Sequence, residues 1–276
     1  MKKKGNASTI LLILLLIMGL SLLLYPTISE AWNTRYNRHA VNAYTDAVST
    51  LDENRYQAIW DEAIAFNVRR LESGLMFYLG PEEEKQYRDI LNLSGNGIMG
   101  YIEIPSLGSK FPIYHGTDES VLQVGIGHLE WSRLPVGGES THCIVSGHRG
   151  LPSARLFTDL DQLQKRDTFL LHILDEILTY EVDQILIVLP SETDALQIEE
   201  GKDLCTLVTC TPYGVNSHRL LVRGHRVENA AQAIQVRVTA DALRLEPLIV
   251  AAVLFFPILI LLLAIQSLVD RKAKGK

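Results

Sequence analysis

The sequence predicts a mainly β domain, a barrel or sandwich of short strands, with helices before it and a membrane-spanning segment at each end. Three observations predict this. From Gly100 onward, short apolar runs alternate with frequent Gly and Pro. Before it, aromatic and aliphatic residues recur at helical spacing. At both ends lie long apolar stretches beside basic residues.

The first apolar stretch runs from Ile10 to Leu24 and extends to Ile28, after Lys2, Lys3 and Lys4. It is long enough for a span or a signal peptide, and Ser29-Glu-Ala31 resembles a small-residue cleavage site. The second runs from Leu248 to Leu263 and on to Val269, followed by Arg271, Lys272, Lys274 and Lys276. A buried core helix is the alternative there, but length and basic flank favour a span. The positive-inside rule puts both ends in the cytoplasm and Glu30 to Glu246 outside, hence a multi-pass cell-membrane protein. The outer stretch lacks those basic flanks and is more acidic than the whole chain, whose net charge is −6. That balance argues against a nucleic-acid partner, which calls for a basic face.

Trp32 to Asp52 and Arg55 to Ser73 read as helices, with stripes at Tyr36, Ala40, Tyr44, Val48 and at Tyr56, Ile59, Ala63, Phe66. Such stripes are packing surface, expected to cover part of the β domain. Leu75 to Gly97 is an irregular stretch with an acidic run and a helix to Leu93.

Strands are expected near Gly100–Ile104, Phe111–Tyr114, His142–Ser146, Thr168–Ile173, Glu176–Leu189, Leu204–Thr209 and Arg219–Arg226. Helical turns are expected at Asp118–Val124 and Leu156–Leu163. The expected partition is 1–29 tail and first membrane segment, 30–98 helical region, 99–230 β domain, 231–246 linker, and 247–276 second membrane segment and basic tail.

The chemistry gathers at strand ends. The run from Leu204 stops at Cys210, then turns through Pro212 and Gly214. A thiol at a strand end can be a nucleophile on a rigid support, or a buried core residue. A free thiol, with a pKa of about 8.5, needs a base or cation to become thiolate at neutral pH. His148, after the apolar run from Cys143 and between Gly147 and Gly150, can exchange a proton with it. Arg219, opening the next strand, stays charged and suits developing negative charge on a carbonyl oxygen. Taken singly, His148 reads more readily as a structural histidine and Arg219 as a surface arginine.

Together these residues carry a resemblance. Thr206-Leu-Val-Thr-Cys210, with Ser146-Gly-His148 upstream and Arg219 downstream, resembles the signature of sortases, the cysteine transpeptidases of Gram-positive bacteria. The longer match is to class C, the pilus-assembling sortases. It includes Met99-Gly-Tyr-Ile-Glu-Ile-Pro105, Pro112-Ile-Tyr-His-Gly-Thr117, Gly127-His-Leu-Glu130 and Leu134-Pro-Val-Gly-Gly138. It continues through Ser146-Gly-His-Arg-Gly-Leu-Pro-Ser153, Leu156-Phe-Thr-Asp-Leu160 and Cys210-Thr-Pro-Tyr-Gly-Val-Asn-Ser-His-Arg219.

The resemblance implies a closed eight-stranded β-barrel. It implies Cys210, His148 and Arg219 as catalytic residues, and a groove lined around Thr209, Thr211, Pro212 and Tyr213. It implies pilin or surface-protein substrates with a C-terminal Leu-Pro-X-Thr-Gly-like signal, cut between Thr and Gly and joined to a pilin lysine. Attachment to peptidoglycan, hydrolysis, and a non-catalytic pilus-assembly scaffold are the alternatives. Class C members carry a lid with an Asp-Pro-aromatic motif; this chain has Phe77-Tyr-Leu-Gly-Pro-Glu82 instead. Phe77 and Tyr78 are the candidate lid residues, and an ordinary connecting loop is the other reading. In the implied fold, Cys143 and Cys205 lie on neighbouring parallel strands, facing away from the catalytic side chains, as two free thiols or a disulfide. His39, His115, His128, His142, His172, His218 and His225 show no metal-ligand spacing, so neither metal nor cofactor is expected. His128 lies in a class C motif and is expected to be structural, near the site.

Overall fold

The computed structural model describes residues 5–73 and 79–229. One helix, α1 (Gly5–Ser49), includes the first apolar stretch and passes Pro26 without a break. The stretch and the expected helix from Trp32 are therefore a single element. From Leu12 on, α1 is long and apolar enough to cross a membrane, with a mean hydropathy of 2.2 and none of that window buried. The second apolar segment, from Leu248, lies outside the described residues, as do Phe77 and Tyr78.

Helix α2 (Glu53–Ser73) follows a turn at Thr50–Asp52. Helix α3 is Pro81–Asp89, shorter than the sequence suggested: its C-cap Ile90 takes an extended backbone (φ −66°, ψ 134°) that ends it, and Leu91 follows with a left-handed φ of 64°. The buried faces of α1 and α2 carry Val41, Tyr44, Val48, Ala63 and Phe66, while Tyr36 is half exposed. Tyr44 fastens α1 to the barrel. Its hydroxyl donates to the Met99 carbonyl at 3.1 Å and accepts from the Leu174 amide at 2.7 Å.

The strands are β1 (Ile98–Ile104), β2 (Ser109–His115), β3 (Ile126–His128), β4 (Thr141–Ser146), β5 (Thr168–Ile173), β6 (Glu176–Val188), β7 (Asp203–Thr211) and β8 (His218–Val227). They close into a barrel in the order β1-β2-β3-β4-β7-β8-β6-β5. Between β2 and β3 sits the short helix α4 (Glu119–Leu122). Its crossover lets β3 run parallel to β2. The expected helical turn at Leu156–Leu163 is a single 3-10 turn, Leu160–Gln162.

Strand β3 escaped the sequence reading. Three residues give no alternation to read, and the middle one is Gly127. A Cβ there would meet the Gly116 carbonyl oxygen at 2.3 Å, so only glycine lets the two backbones approach.

Two apolar layers follow from period-2 alternation along the strands. Ile102, Ile113, Val145, Phe169, Leu171, Cys205, Leu207 and Val222 belong to the main core. On the opposite face of the β4–β7–β8 region, Ile144, Val208 and Leu221 form a second cluster with Leu196 of the β6–β7 connection. Leu129, Trp131, Leu186 and Val188 pack against it. This second layer is the face on which the functional residues stand.

Candidate active site

Strand β7 is the axis of the site. It is parallel to β4 on one side and antiparallel to β8 on the other. Across the β7–β8 ladder Cys210 is paired directly with Arg219, and Thr211 with His218. Directly opposed residues share a face, with Cβ atoms about 4.5–5.5 Å apart. On the β4 side, Ser146 is level with Val208. The alignment continues past the end of β4: the Gly147 amide donates to the Val208 carbonyl at 3.1 Å. The Thr209 hydroxyl donates back to the Gly147 carbonyl at 2.7 Å. His148 is thus carried level with Cys210, as Arg219 is on the other side.

Each residue is held by local structure. The His148 carbonyl accepts from the Phe157 amide at 3.1 Å, tying down the loop that leaves β4. A Cβ on Gly147 would meet Ile126 and Phe157 side chains at 2.6 and 2.9 Å, so the backbone before His148 lies against the core. Cys210 is partly exposed, unlike Cys143 and Cys205, which are buried. The Arg219 guanidinium donates to the carbonyls of Asn216 at 3.2 Å and His218 at 3.1 Å, so its own turn restrains it.

The predicted groove residues divide. Thr209 and Thr211 are buried, and their hydroxyls are engaged: Thr209 with Gly147, and Thr211 accepting from Arg149 at 2.9 Å. Their side chains brace the site from behind instead of lining its open surface, because both lie where the β7 backbone packs on the loop after β4. Pro212 and Tyr213 are exposed. The Tyr213 ring lies over Gly150, where a Cβ would come within 2.8 Å of it.

Three residues were not foreseen. Glu119, at the start of α4, has its carboxylate 3.9 Å from His148 Nε2, a buried nitrogen without a hydrogen bond among the described residues. Arg149 joins Thr211 to Asp161, linking the connection after β4 to the end of β7. Asn33 of α1 donates to the Ser153 carbonyl at 2.5 Å. Their contacts depend on distant segments folding together, and although Arg149 lies in the quoted motif beside His148, nothing local shows what it touches.

Beneath the site, inside the barrel, Cys143 is level with Cys205. Both are free. Burial pushes the Cys143 thiol up, but hydrogen bonds with Cys205 and His128 outweigh it and hold it below the ordinary thiol value. Burial, and the same shared hydrogen bond, push Cys205 up. His128 is fully buried and structural: Tyr87 is at its Nδ1 at 3.0 Å, and its Nε2 is 2.8 Å from the Arg133 carbonyl. Among the described residues no His, Cys, Asp and Glu cluster could hold a metal ion.

A thiol with an imidazole on one side and a fixed guanidinium on the other has what acyl transfer requires: a nucleophile, a proton carrier and a charge to meet an oxyanion. The comparisons agree with that geometry. Residues 102–227 match the sortase domain model. Sortase C1 of Streptococcus agalactiae is 52% identical, with the match covering 70% of this chain and 100% of that one at a TM-score of 0.68. Sortase C of Streptococcus pneumoniae is 41% identical over 70% of this chain and 98% of that one, with a TM-score of 0.61. Sortase D of Bacillus subtilis is 31% identical over 131 residues, 46% of this chain, and the match spans 63% of that relative's length. With the barrel, the paired thiol and arginine, and these similarities in agreement, the chain belongs to the sortase family.

Proposed function

We propose that the chain is a membrane-anchored cysteine transpeptidase of the pilus-assembling kind. The observation that carries the reading is the direct pairing of Cys210 with Arg219, with His148 just beyond the end of the neighbouring strand β4. The Cys210 thiolate attacks the Thr–Gly carbonyl carbon of a Leu-Pro-X-Thr-Gly-like signal. Arg219 meets the developing oxyanion. The carbon–nitrogen bond breaks, and His148 delivers a proton to the departing glycine amine. A lysine amine of the next pilin then attacks the thioester. The carbon–sulfur bond breaks, an isopeptide bond forms, the amine's proton passes to His148, and Cys210 returns as thiolate.

The pilin acceptor is supported by the likeness to sortase C structures, one of them described with pilin substrate specificity. Attachment to peptidoglycan shares every step up to the amine and is the second reading. Membrane anchoring is supported by α1 and by the basic residues beside both apolar stretches. The reading has both ends in the cytoplasm and the catalytic domain, residues 99–230, outside. The helical region 30–98 and the linker 231–246 join that domain to the spans.

The test is the intact mass of the purified chain after incubation with a sorting-signal peptide and no acceptor. The expected product is an adduct lacking the fragment that begins at glycine, absent from Cys210→Ala. Adding a pilin lysine peptide or a peptidoglycan stem amine then identifies the acceptor. A folded protein that gives no adduct with any signal variant would return the reading to a non-catalytic scaffold.

A further inference from the structure

The candidate site stands at one end of the barrel. Ser146 is level with Val208, Cys210 with Arg219, and Arg219 with Val188, so β4, β6 and β7 finish and β8 begins at that end. The turn from β5 to β6, which holds Leu174, lies at the other end.

Followed back toward the start of the chain, α1 runs from the far end to the site's end. Tyr44 is bonded to Met99 and Leu174. Asn33 lies about 16 Å further along the helix axis at 1.5 Å per residue. There Ser29 and Asn33 donate to the Ser153 carbonyl at 3.3 and 2.5 Å, and Glu30 is 3.6 Å from Arg155. Ser153 and Arg155 belong to the connection that leaves β4 just past His148. The apolar stretch of α1, which ends at Ile28, therefore departs from the end of the barrel that carries the site. From Ile28 to Asn33 the helix rises only about 7 Å. The headgroup layer on each side of a bilayer is about 5–7 Å deep.

Exposed hydrophobic residues gather at the same end. Outside α1 and α2, the large exposed hydrophobics among the described residues are Ile187, Leu189, Tyr213 and Val215. Ile187 and Leu189 flank Val188 where β6 finishes, and Tyr213 and Val215 lie in the loop from β7 to β8. Single exposed hydrophobics are ordinary, but a gathering of them marks an interaction surface. Ile187 does not belong to a groove around the thiol. Val188 pairs with Arg219, so Ile187, its neighbour, stands on the face opposite to Cys210 and Arg219.

We propose that this end of the barrel is a membrane-contact surface, in which Ile187, Leu189, Tyr213 and Val215 enter the headgroup region of the bilayer that α1 crosses. Tyrosine suits that boundary, with an apolar ring and a polar tip. Four side chains are too few to hold a free barrel to lipid, but α1 makes the contact intramolecular and keeps its local concentration high. Cys210, next to last in β7, is then held close to the headgroups. The inference rests on the membrane-anchoring reading of α1 given above.

The experiment is fluorescence quenching on the full chain in vesicles of mixed phosphatidylcholine and phosphatidylglycerol. Cys210→Ala removes the accessible thiol, and Cys143 and Cys205 are buried, so one added cysteine carries the dye. Three proteins are made, with the dye at Ser217→Cys in the β7–β8 loop, at Asp175→Cys in the β5–β6 turn, or at Leu22→Cys in α1. Lipids bearing a nitroxide on the headgroup should quench the dye at 217 several-fold more than the dye at 175. Lipids with a nitroxide deep in the acyl chain should quench the dye at 22. Replacing Ile187, Leu189 and Val215 together by Glu should abolish most of the quenching at 217. The same three positions changed to Ser are the second variant, with a smaller loss expected.

Equal quenching at 217 and 175 overturns the surface, as does quenching at 217 that survives both variants, since the end then faces lipid without touching it. A dye at 217 shielded from aqueous iodide but not quenched by the lipids assigns the end to another protein surface and also overturns the proposal. In each of these cases quenching at 22 leaves the span intact. No quenching at 22 removes the span itself, and the contact surface falls with it.

Discussion

Cys210 and Arg219 face each other across the β7–β8 ladder, nine residues apart in sequence and side by side in space. Their loop runs through Pro212, Gly214 and Asn216, with left-handed φ at Gly214 (74°) and Asn216 (59°). The Asn216 carbonyl that this turn presents is one of the two that hold the Arg219 guanidinium. The turn therefore sets both the pairing and the aim of the cation.

Arg219→Ala should lower kcat by about 10²–10³, the usual loss for one oxyanion donor, with a smaller change in KM. Arg219→Lys should recover part of the rate, since it keeps the charge but loses the planar fork. Steady-state kinetics on a sorting-signal peptide check this. A change confined to KM would instead make Arg219 a substrate clamp.

Gly150→Ala should cost about 1–2 kcal/mol, because Gly150 sits at φ +77° and an L-residue is strained there. The new Cβ would also press on the Tyr213 ring, which is exposed and free to swing away. KM is therefore expected to rise while kcat changes little. Urea unfolding and peptide kinetics measure the two effects; unchanged values for both would mean that the loop adapts without strain.

Stability should fall as pH drops below about 6.5, the ordinary histidine value. Burial lowers the folded-state pKa of His115 and of His142. The unfolded chain then binds protons more readily than the folded one, so their contribution is complete above 6.5 and is lost as pH falls toward the folded values. Urea midpoints between pH 8 and 5 should show this slope, and His142→Gln should flatten it. An unchanged slope in that variant would remove His142 from the account.

Alkylation should label one thiol in the native protein and three after denaturation. Cys210 is partly exposed, Cys143 and Cys205 are buried, and all three are free. Mass spectrometry with iodoacetamide reads both counts. One thiol after denaturation would mean a Cys143–Cys205 disulfide.

The strand pattern was legible because most strands are long enough to alternate. The expected Thr168–Ile173 coincides with β5, and β7 and β8 extend their predicted ranges by only one or two residues at each end. The proposed catalytic side chains stood out because each ends or opens a short apolar run, with glycine or proline in the adjoining loop. Their meeting was implied by the resemblance and not legible in the residues themselves. It depends on β4 lying parallel beside β7, although some sixty residues separate them, and no local preference encodes that register.

By itself, then, the sequence determined where the chain extends, where it turns, and which residues can carry a nucleophile, a proton and a fixed charge. Those properties reside in neighbouring residues, in backbone preference and side-chain chemistry. Only the tertiary structure decided that β3 exists, that Thr209 and Thr211 brace the site from behind, and that Arg133 is buried. Each of these depends on which distant atoms come close: a backbone against Gly127, the Gly147 carbonyl against Thr209, Arg70 beside Arg133. Burial and pairing are properties of the closed barrel, and no stretch of the chain contains them alone.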